Sequence, residues 1–293
     1  MIAVDWGTSN FRAFQLDADG AILSRRSSSR GILQVEGGQF ADALRSEIGE
    51  WLANGEDRIL LCGMIGSRQG WVEAKYLPCP AGISDLADAV TQIPFTGADL
   101  RLIPGVSGHD LDGIPEVMRG EETQAASLLE SSADDRLVCF PGTHSKWMHL
   151  SDHNIASFLT CMTGEIYAAV RNHTILGRIM TANNAVDNTA FLQGVARSQN
   201  SGGLLHHLFG VRTLTLMNQL TEEAAVSYLS GLLIGHEVRA AMPAVGPVHL
   251  VGAAPLCTLY AQAIVACGGS ATVEEEDAAA RGLAAIGRRL KWN

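Results

Sequence analysis

A short polar stretch near the start of the sequence has the residue types of a phosphate site. Asp5 ends an apolar run, a turn of Gly7-Thr8-Ser9-Asn10 follows, and Arg12 comes next. Such a turn can direct backbone N–H groups and hydroxyls at one spot, and glycine allows close approach. Mg²⁺ is often bound by one carboxylate and several waters, and arginine suits phosphoryl groups. The stretch predicts a phosphate site with Mg²⁺ at Asp5. An aspartate-capped turn without a ligand is the simpler alternative.

A second stretch of the same kind occurs at "PGTHSK", where Gly142 and Thr143 begin a turn and Lys146 follows it. Taken alone, either turn is weak evidence for phosphate binding. The sequence lacks both the Walker A pattern and the GxGxxG dinucleotide fingerprint, so the two commonest nucleotide-binding folds are not indicated. The interpretation as a pair of phosphate turns depends on their positions in a repeated plan.

The elements around the two turns follow one plan. "IAV", "RAFQLD" and "AILSRRSS" read as three strands, with a hairpin turn at Asp17 to Gly20. A helix "FADALRSEIGEWL" and a buried strand "RILLCGMIG" follow. From residue 136, "RLVCF", "KWMHL" and "IASFLT" repeat the three strands. The repeat predicts two related domains, although chance similarity between short hairpins is an alternative explanation.

The rest of the chain predicts more helices and strands. Helices are indicated at "GEIYAAVRN", at "TAFLQGVARSQ" and from Thr221, a plausible N-cap. "PVHLVG" and "ATVE" read as strands, and "PLCTLYAQAIVACG" and "DAAARGLAAIGRRL" as helices. The stretch "IPGVSGHDLDGIPEVMRG" reads as the least structured segment and as a hinge. We therefore predict domains at 1–118 and 119–293, with the last helix returning to the first domain.

Two adjacent acidic residues lie just after this segment. Glu121 and Glu122 follow a glycine at the start of a helix whose Ala125, Leu128 and Leu129 are expected to be buried. Acidic residues in a first turn stabilise the helix dipole by about 0.3–1 kcal/mol, which would by itself explain them. A carboxylate here could also accept a proton from an attacking hydroxyl.

Composition limits the classes of protein. The 293 residues carry a formal net charge of −10, which argues against binding nucleic acid or an anionic membrane through the global field. The six cysteines are widely spaced and lack a zinc pattern, so we expect them to be reduced core residues. His144, His149 and His153 are a weak metal hypothesis. No apolar run reaches the ~20 residues of a membrane helix, and we expect a cytoplasmic protein.

Together these motifs resemble a known superfamily, the sugar kinases, heat-shock chaperones and actin. At closer range the chain resembles the 2-dehydro-3-deoxygalactonokinase family. "IAVDWGTSNFRA", "GMIGSRQGW", "IPGVSGHD", "VMRGEETQ", "PGTHSKW", "MTGE" and "LSGLLIGHEV" carry the resemblance in order along nearly the whole chain. "MRGEETQ" followed by "PGTHSKW" is the specific part, whereas "DWGTSNFR" identifies only the superfamily.

The resemblance implies an α/β protein of two ribonuclease-H-like domains around a central nucleotide cleft, the actin-like ATPase fold. It implies phosphorylation of O6 of 2-dehydro-3-deoxy-D-galactonate by ATP and Mg²⁺ in galactonate breakdown. The catalytic carboxylate falls at Glu121 if the preceding glycine is aligned and at Glu122 if "QAA" is aligned, with Arg12 facing the transferred group. The implied nucleotide contacts are Gly7, Thr8, Ser9, Asn10, Gly142, Thr143, His144, Lys146, Gly252 and Ala253. The implied substrate contacts are Met64, Ile65, Gly66, Ser67, Arg68 and Arg119, with the two arginines as candidates for the substrate carboxylate.

Several alternatives remain at this point. The substrate could be another sugar or sugar acid, such as the gluconate-type epimer. An actin-like or chaperone-like ATPase switch would hydrolyse ATP independently of any sugar acid. A non-catalytic sensor would need a DNA-binding module, and the sequence has no basic helix-turn-helix pattern. The expected partners are ATP and a sugar acid, and a homodimer is the one protein assembly considered.

Overall fold

The structure is a computed structural model that describes residues 1–181, 186–242, 246–274 and 277–292. It divides into two compact units. Unit 1 comprises Met1–Asp135, His149–Phe158 and Asp277–Asn293, and unit 2 comprises Arg136–Met148 and Leu159–Glu276. These units do not coincide with the predicted domains 1–118 and 119–293. The last helix lies in unit 1, and the domain assignment itself stays a prediction.

Unit 1 is built on a six-stranded sheet in the order β3-β2-β1-β4-β8-β7. The strands and helices of this unit, in chain order, are β1 (Ile2–Trp6), β2 (Phe11–Leu16), β3 (Ile22–Ser28), α1 (Phe40–Ala53), β4 (Arg58–Cys62), β5 (Tyr76–Pro78), β6 (Ala81–Gly82), α2 (Ile83–Asp88), β7 (Thr91–Ile93), β8 (Asp99–Leu102), β9 (Gly105–His109), β10 (Pro115–Met118), α3 (Glu121–Ser131) and α9 (Ala278–Gly287). β1, β2 and β3 form an antiparallel meander, and β1, β4 and β8 are parallel. The predicted meander, the helix and the following strand are therefore confirmed.

The two faces of this sheet pack against different helices. Ile2, Val4 and Trp6 alternate along β1 and join α1 in one buried apolar cluster. Ala3 and Asp5, the residues between them, point to the opposite face of the sheet, because successive side chains of a strand alternate between faces. α9 packs against β1, β4 and α3. A β-carbon added at Gly282 of α9 would lie 1.7 Å from the Thr123 carbonyl oxygen, so glycine permits the contact between α9 and α3.

The segment predicted as the least structured is a β-hairpin, and that prediction is wrong. β9 and β10 pair antiparallel, and β9 also pairs with β5. The hairpin turn is held at Asp110, whose Oδ1 accepts hydrogen bonds from the Asp112 and Ile114 N–H groups. Gly113 supplies the positive φ of the turn, at 82°. The same D-x-D-G arrangement makes the turn at Asp17 to Gly20, and it is the local signal that marks both hairpins.

A second sheet of matching topology belongs mainly to unit 2, although His149–Phe158 of β12 and β13 are assigned to unit 1. The remaining strands and helices, in chain order, are β11 (Arg136–Phe140), β12 (Ser145–Ser151), β13 (Asn154–Cys161), α4 (Thr163–His173), α5 (Asn188–Arg197), α6 (Gly203–Leu216), α7 (Glu222–Ala241), β14 (Pro247–Leu250), α8 (Ala254–Ala266) and β15 (Ser270–Val273). The strand order β13-β12-β11-β14-β15 corresponds to β3-β2-β1-β4-β8, and β6 adds at the β13 edge. β11, β14 and β15 are parallel. Two ribonuclease-H-like sheets are thus present, and the predicted actin-like ATPase fold is confirmed.

The helices of unit 2 follow the sequence prediction except at α6. α7 begins after Thr221, whose hydroxyl accepts a hydrogen bond from the Ala224 N–H, so the predicted N-cap is confirmed. α6 was not predicted, because its apolar residues do not lie on one side. Leu205 and Phe209 are 86% and 57% exposed. Among the described residues, no helix is long and apolar enough to cross a membrane.

Candidate active site

Asp5 and Arg12 form an ion pair near the carboxyl end of β1, in the middle of the first sheet. The two residues lie opposite each other in the β1–β2 ladder, and the Arg12 guanidinium donates to Asp5 Oδ2. The charge of Asp5 is the main cause that raises the pKa of Arg12. The side chain of Asp5 is 11% exposed and that of Arg12 is 51% exposed. The pair therefore presents a permanently charged guanidinium at an accessible position.

The turn of Gly7 to Asn10 is held by backbone hydrogen bonds, and its three polar side chains are exposed. Thr8, Ser9 and Asn10 are exposed. The Gly7 N–H donates to the Asn10 carbonyl at 2.9 Å, and the Gly7 carbonyl accepts from the Ile32 N–H at 3.0 Å. A β-carbon at Gly31 would lie 2.3 Å from the Thr8 carbonyl oxygen. The Gly7 N–H already donates a hydrogen bond inside the turn. Hydrogen bonds from this turn to a phosphate would therefore have to come from Thr8, Ser9 or Asn10.

Two glycines keep the space beside Asp5 clear. β1 and β4 are parallel, so Gly63, which follows β4, lies at the same sheet edge as Gly7. Gly63 has φ 91°, and a β-carbon there would lie 3.0 Å from Asp5 Oδ1. A β-carbon at Gly120 would lie 3.4 Å from the Gly63 Cα. The start of α3 is therefore brought next to Asp5, a proximity that the sequence spacing did not reveal.

Glu121 and Glu122 open α3 in different environments. Glu122 is fully buried; its Oε2 accepts the Gly120 N–H at 2.6 Å and its Oε1 the Thr123 hydroxyl at 2.9 Å. Burial, and next the charge of Glu121, raise the pKa of Glu122 to about 7 from an ordinary value of 4.5. Glu121 is partly exposed. Both oxygens of Glu122 accept hydrogen bonds at the start of its own helix, and the two residues differ in burial.

Arg119 is buried, although an arginine at this point of the sequence would ordinarily be exposed. It is 8% exposed, its guanidinium lies 4.4 Å from the Tyr76 ring centroid, and its Nη2 donates to the Ala74 carbonyl at 2.8 Å. Its Nε and Nη1 are buried and, within the described part of the chain, have no hydrogen-bond partner; the same holds for the buried Ser67 hydroxyl. A β-carbon at Gly66 would lie 3.0 Å from Arg119 Nη1. Unpaired buried donors of a charged group are costly, so this cluster has hydrogen-bonding capacity for an anion.

The other predicted substrate residues are placed differently. Met64 to Gly66 form a 3₁₀ turn after β4. Ile65 is fully buried in the core of unit 1, so its side chain packs rather than faces a ligand. Arg68 is 87% exposed and lies 3.5 Å from Glu73. Met64 packs against the same core and is partly buried, which leaves Gly66 and Ser67 beside Arg119.

The turn after β11 is the second predicted phosphate site, and α4 supports it. A β-carbon added at Gly142 would have no atom of the described residues within 4 Å, apart from its chain neighbours. A β-carbon at Gly164 would lie 2.5 Å from the Gly142 carbonyl oxygen, and the Glu165 N–H donates to the Thr143 carbonyl at 3.0 Å. The His144 imidazole contacts the Glu165 carboxylate. The start of α4 thus fixes the backbone of this turn.

Lys146 lies inside β12, directly after this turn. It is 6% exposed, and its Nζ donates to the Thr160 hydroxyl on β13 at 2.8 Å. Its neighbours Ser145 and Trp147 are also buried. Lys146 is therefore an ordered, largely covered cation.

The predicted adenosine contacts lie near the second turn. Because β11 and β14 are parallel, their carboxyl ends share one edge, and an added β-carbon at Gly252 would lie 3.5 Å from the Pro141 carbonyl oxygen. Ala253 is the N-cap of α8, and both residues are exposed. The start of α8, whose first N–H groups have no partner within the helix, therefore lies at the same strand ends as the turn of Gly142. Unit 2 therefore brings its predicted phosphate and adenosine residues together.

The described residues hold no group of three or more histidine, cysteine or acidic side chains placed to bind a metal ion. His144, His149 and His153 are thus not gathered into such a group. The six cysteines are free thiols, three of them buried and three partly buried.

Several known proteins are similar to this chain in sequence and in structure. A protein of Rhizobium meliloti (strain 1021) named Probable 2-dehydro-3-deoxygalactonokinase DgoK1 is 38% identical over 296 residues, covering 98% of this chain and 96% of that protein. The 2-dehydro-3-deoxygalactonokinase of Escherichia coli (strain K12) is 35% identical over 286 residues, covering 95% and 94%. The crystal structure of a candidate 2-dehydro-3-deoxygalactonokinase from Sinorhizobium meliloti superposes with a TM-score of 0.89 at 37% identity, covering 98% of both chains.

The family profile gives the same result over nearly the full length. The profile of DGOK, 2-keto-3-deoxy-galactonokinase, matches residues 5–286. That range runs from Asp5 into α9 and includes every residue of the candidate site. With this match and two curated relatives above 30% identity, the chain belongs to the 2-keto-3-deoxy-galactonokinase family.

Proposed function

We propose that this chain is an ATP-dependent kinase that phosphorylates O6 of 2-dehydro-3-deoxy-D-galactonate. Membership of the family supports the kinase class and the sugar acid. One structural observation carries the proposal: Asp5, Arg12 and the start of α3 with Glu121 meet at one sheet edge. This gathers a metal-binding carboxylate, a fixed cation and a candidate base. ATP is available inside the cell, so the proposal includes a cytoplasmic location.

The residues of unit 1 fit a phosphate group and a hydrated Mg²⁺. Gly63 keeps the space at Asp5 Oδ1 free of a side chain, which suits a water-mediated contact between this carboxylate and the ion. Bound Mg²⁺ would neutralise phosphate charge. The exposed Thr8, Ser9 and Asn10 would hydrogen-bond to phosphate oxygens, and Arg12, held by Asp5, would stabilise the charge that develops on the transferred group.

Within the pair of glutamates, we propose Glu121 as the general base. A base must reach the hydroxyl that it deprotonates, at about 2.6–3.2 Å. Glu122 has no exposed surface and both of its oxygens accept hydrogen bonds from the end of its own helix. Glu121 is one residue earlier and partly exposed, so it can approach a substrate without breaking the hydrogen bonds of Glu122 at the start of α3. Glu122 then has a positioning role, since it closes the first turn of α3.

The substrate is a carboxylate at neutral pH, and Arg119 is proposed to recognise it. Among the described residues, two nitrogens of this guanidinium and the Ser67 hydroxyl beside it have no hydrogen-bond partner, so the group has the capacity to bind both oxygens of an acid group. Tyr76 and the Ala74 carbonyl fix the orientation of the guanidinium. Arg68, which is highly exposed and close to Glu73, is the weaker candidate.

In unit 2, Gly142, Thr143, His144 and Lys146 are proposed to contact the phosphates of ATP, and Gly252 and Ala253 its adenosine. Two arrangements support this assignment. α4 holds the backbone of the turn in place, and Gly252 lies near Pro141, which precedes the turn.

An ADP-coupled assay with a panel of acceptors tests the proposal. The panel contains 2-dehydro-3-deoxy-D-galactonate, its gluconate-type epimer and neutral hexoses, with an acceptor-free reaction as control. The proposal expects ADP production to depend on the galactonate-derived acid. ADP production that is equal with and without every acceptor would reject a kinase, and a faster neutral sugar would reject the substrate.

A further inference from the structure

A buried polar cluster in unit 2 lies beneath the turn of Gly142 and takes no part in the chemistry described above. Its centre is Glu237 of α7, which is 5% exposed. Trp147 Nε1 donates to Glu237 Oε1 at 2.7 Å, and the Tyr260 hydroxyl donates to Glu237 Oε2 at 2.7 Å. The Ser145 hydroxyl lies 2.8 Å from the Tyr260 oxygen and 3.5 Å from Glu237 Oε2. The Thr163 hydroxyl also hydrogen-bonds to Glu237.

The partners of Glu237 belong to three segments that carry or support the residues proposed to contact ATP. Ser145 and Trp147 flank Lys146 at the start of β12. Thr163 is the first residue of α4, the helix whose next two residues pack on and hydrogen-bond to the backbone of the turn. Tyr260 lies on α8, which begins directly after Gly252 and Ala253. One carboxylate thus links β12, α4 and α8.

A buried carboxylate in this position is expensive, so its presence needs a reason. Burial raises the pKa of Glu237, and the hydrogen bonds that it accepts oppose the rise. An apolar side chain of similar size could fill the same volume without the desolvation cost. An apolar side chain accepts no hydrogen bonds, so it could not fix the orientation of the four donors on β12, α4 and α8.

We propose that Glu237 is a positioning residue for the nucleotide, holding the turn of residues 142–146 and the start of α8 in the geometry that binds ATP. The inference rests on the proposed function, because it assigns these segments to ATP. Glu237 itself does not touch the nucleotide. Its loss is expected to weaken binding of ATP while the acceptor site, which is built from residues of unit 1, keeps its affinity.

The test measures binding of Mg²⁺ with the non-hydrolysable analogue AMP-PNP by calorimetry, together with the KM of each substrate. Glu237→Ala should raise the Kd for AMP-PNP and the KM for ATP by about ten-fold or more, as loss of supporting hydrogen bonds around a site commonly does. The KM for the sugar acid should not change. Glu237→Gln should largely restore binding, since its oxygen can accept from Trp147 and its amide can donate to the Tyr260 oxygen.

A matched control separates positioning from general stability. Ser198→Ala removes a buried hydroxyl that accepts a hydrogen bond from Arg239, also on α7, at 2.9 Å. It should lower the melting temperature without changing the KM for ATP. If Glu237→Ala does not fold, Tyr260→Phe provides the measurement, with an expected rise of about three-fold in the Kd.

The outcomes distinguish the two proposals. A wild-type protein that binds no AMP-PNP would overturn the proposed kinase and, with it, this role of Glu237. A wild-type protein that binds, together with Glu237 and Tyr260 variants that bind equally well, would overturn the positioning role alone. The same conclusion follows if Ser198→Ala raises the KM for ATP as much as Glu237→Ala does.

Discussion

The buried carboxylate of Glu122 should make the stability of the protein depend on pH in a defined direction. Its pKa is raised from 4.5 to about 7, first by burial and then by the charge of Glu121. The folded state therefore binds this proton more tightly than the unfolded state does. The contribution to the free energy of unfolding is fully present below pH 4.5 and is lost as the pH rises to about 7.

The size of the effect follows from the two pKa values. A difference of about 2.5 pH units corresponds to about 3 kcal/mol, at ~1.4 kcal/mol per unit. About 2.5 kcal/mol of this lies between pH 5 and pH 8. Glu122→Gln imitates the protonated form, because its oxygen can accept the Gly120 N–H and its amide can donate to the Thr123 hydroxyl.

The assay is urea unfolding of wild type and Glu122→Gln at pH 5, 6, 7 and 8. At each pH, the difference between their free energies of unfolding isolates the contribution of Glu122. From pH 5 to pH 8 this difference should change by about 2.5 kcal/mol, because wild type loses stability relative to the variant. Glu121→Gln is the matched control. In this background the pH-dependent contribution of Glu122 should be smaller and should end at a lower pH, because the charge of Glu121 raises the pKa of Glu122 in the folded state while the unfolded value stays the same. A difference that stays constant over this range would refute the argument.

Three further predictions concern the candidate site. Glu121→Gln should lower kcat by about 10²–10⁴-fold while AMP-PNP binding is kept; a near-normal kcat, measured beside Glu122→Gln, would remove Glu121 as the base. Arg119→Met should raise the KM for the sugar acid about ten-fold or more, the value of a charge-assisted hydrogen bond, and an unchanged KM, with Arg68→Met as the comparison, would exclude Arg119 as the carboxylate contact. Gly63→Ala should destabilise the protein by about 1–3 kcal/mol in thermal unfolding, because its φ is 91° and a β-carbon would lie 2.9 Å from the Trp6 carbonyl oxygen; an unaltered melting temperature would contradict this.

The parts of the fold that could be predicted from sequence are those with local signals. The meander of unit 1, its repeat from residue 136 and the N-cap at Thr221 each follow from alternating apolar residues, turn residues or a capping side chain. The hairpin of β9 and β10 also has a local signal, the D-x-D-G turn at Asp110. The glycines and prolines around it are typical of irregular segments, and for this reason the sequence pattern predicts the wrong structure there.

The parts that could not be predicted depend on contacts between distant residues. Arg119 is buried because Tyr76 and Gly66 pack around it, and nothing next to it in sequence indicates this. Glu237 lies 90 residues from Trp147 in the chain and on a helix whose pattern is simply apolar. The choice between Glu121 and Glu122 was open in the sequence, and the difference in their burial is what now separates them as candidates.

The most direct test of the central claim is identification of the product. The wild-type enzyme is incubated with ATP, Mg²⁺ and 2-dehydro-3-deoxy-D-galactonate, and the mixture is analysed by ³¹P and ¹³C NMR. The account predicts one equivalent of ADP for each sugar acid consumed and a phosphate monoester whose coupling places it on C6. Release of inorganic phosphate with the sugar acid unchanged, or an ester at another carbon, would contradict it.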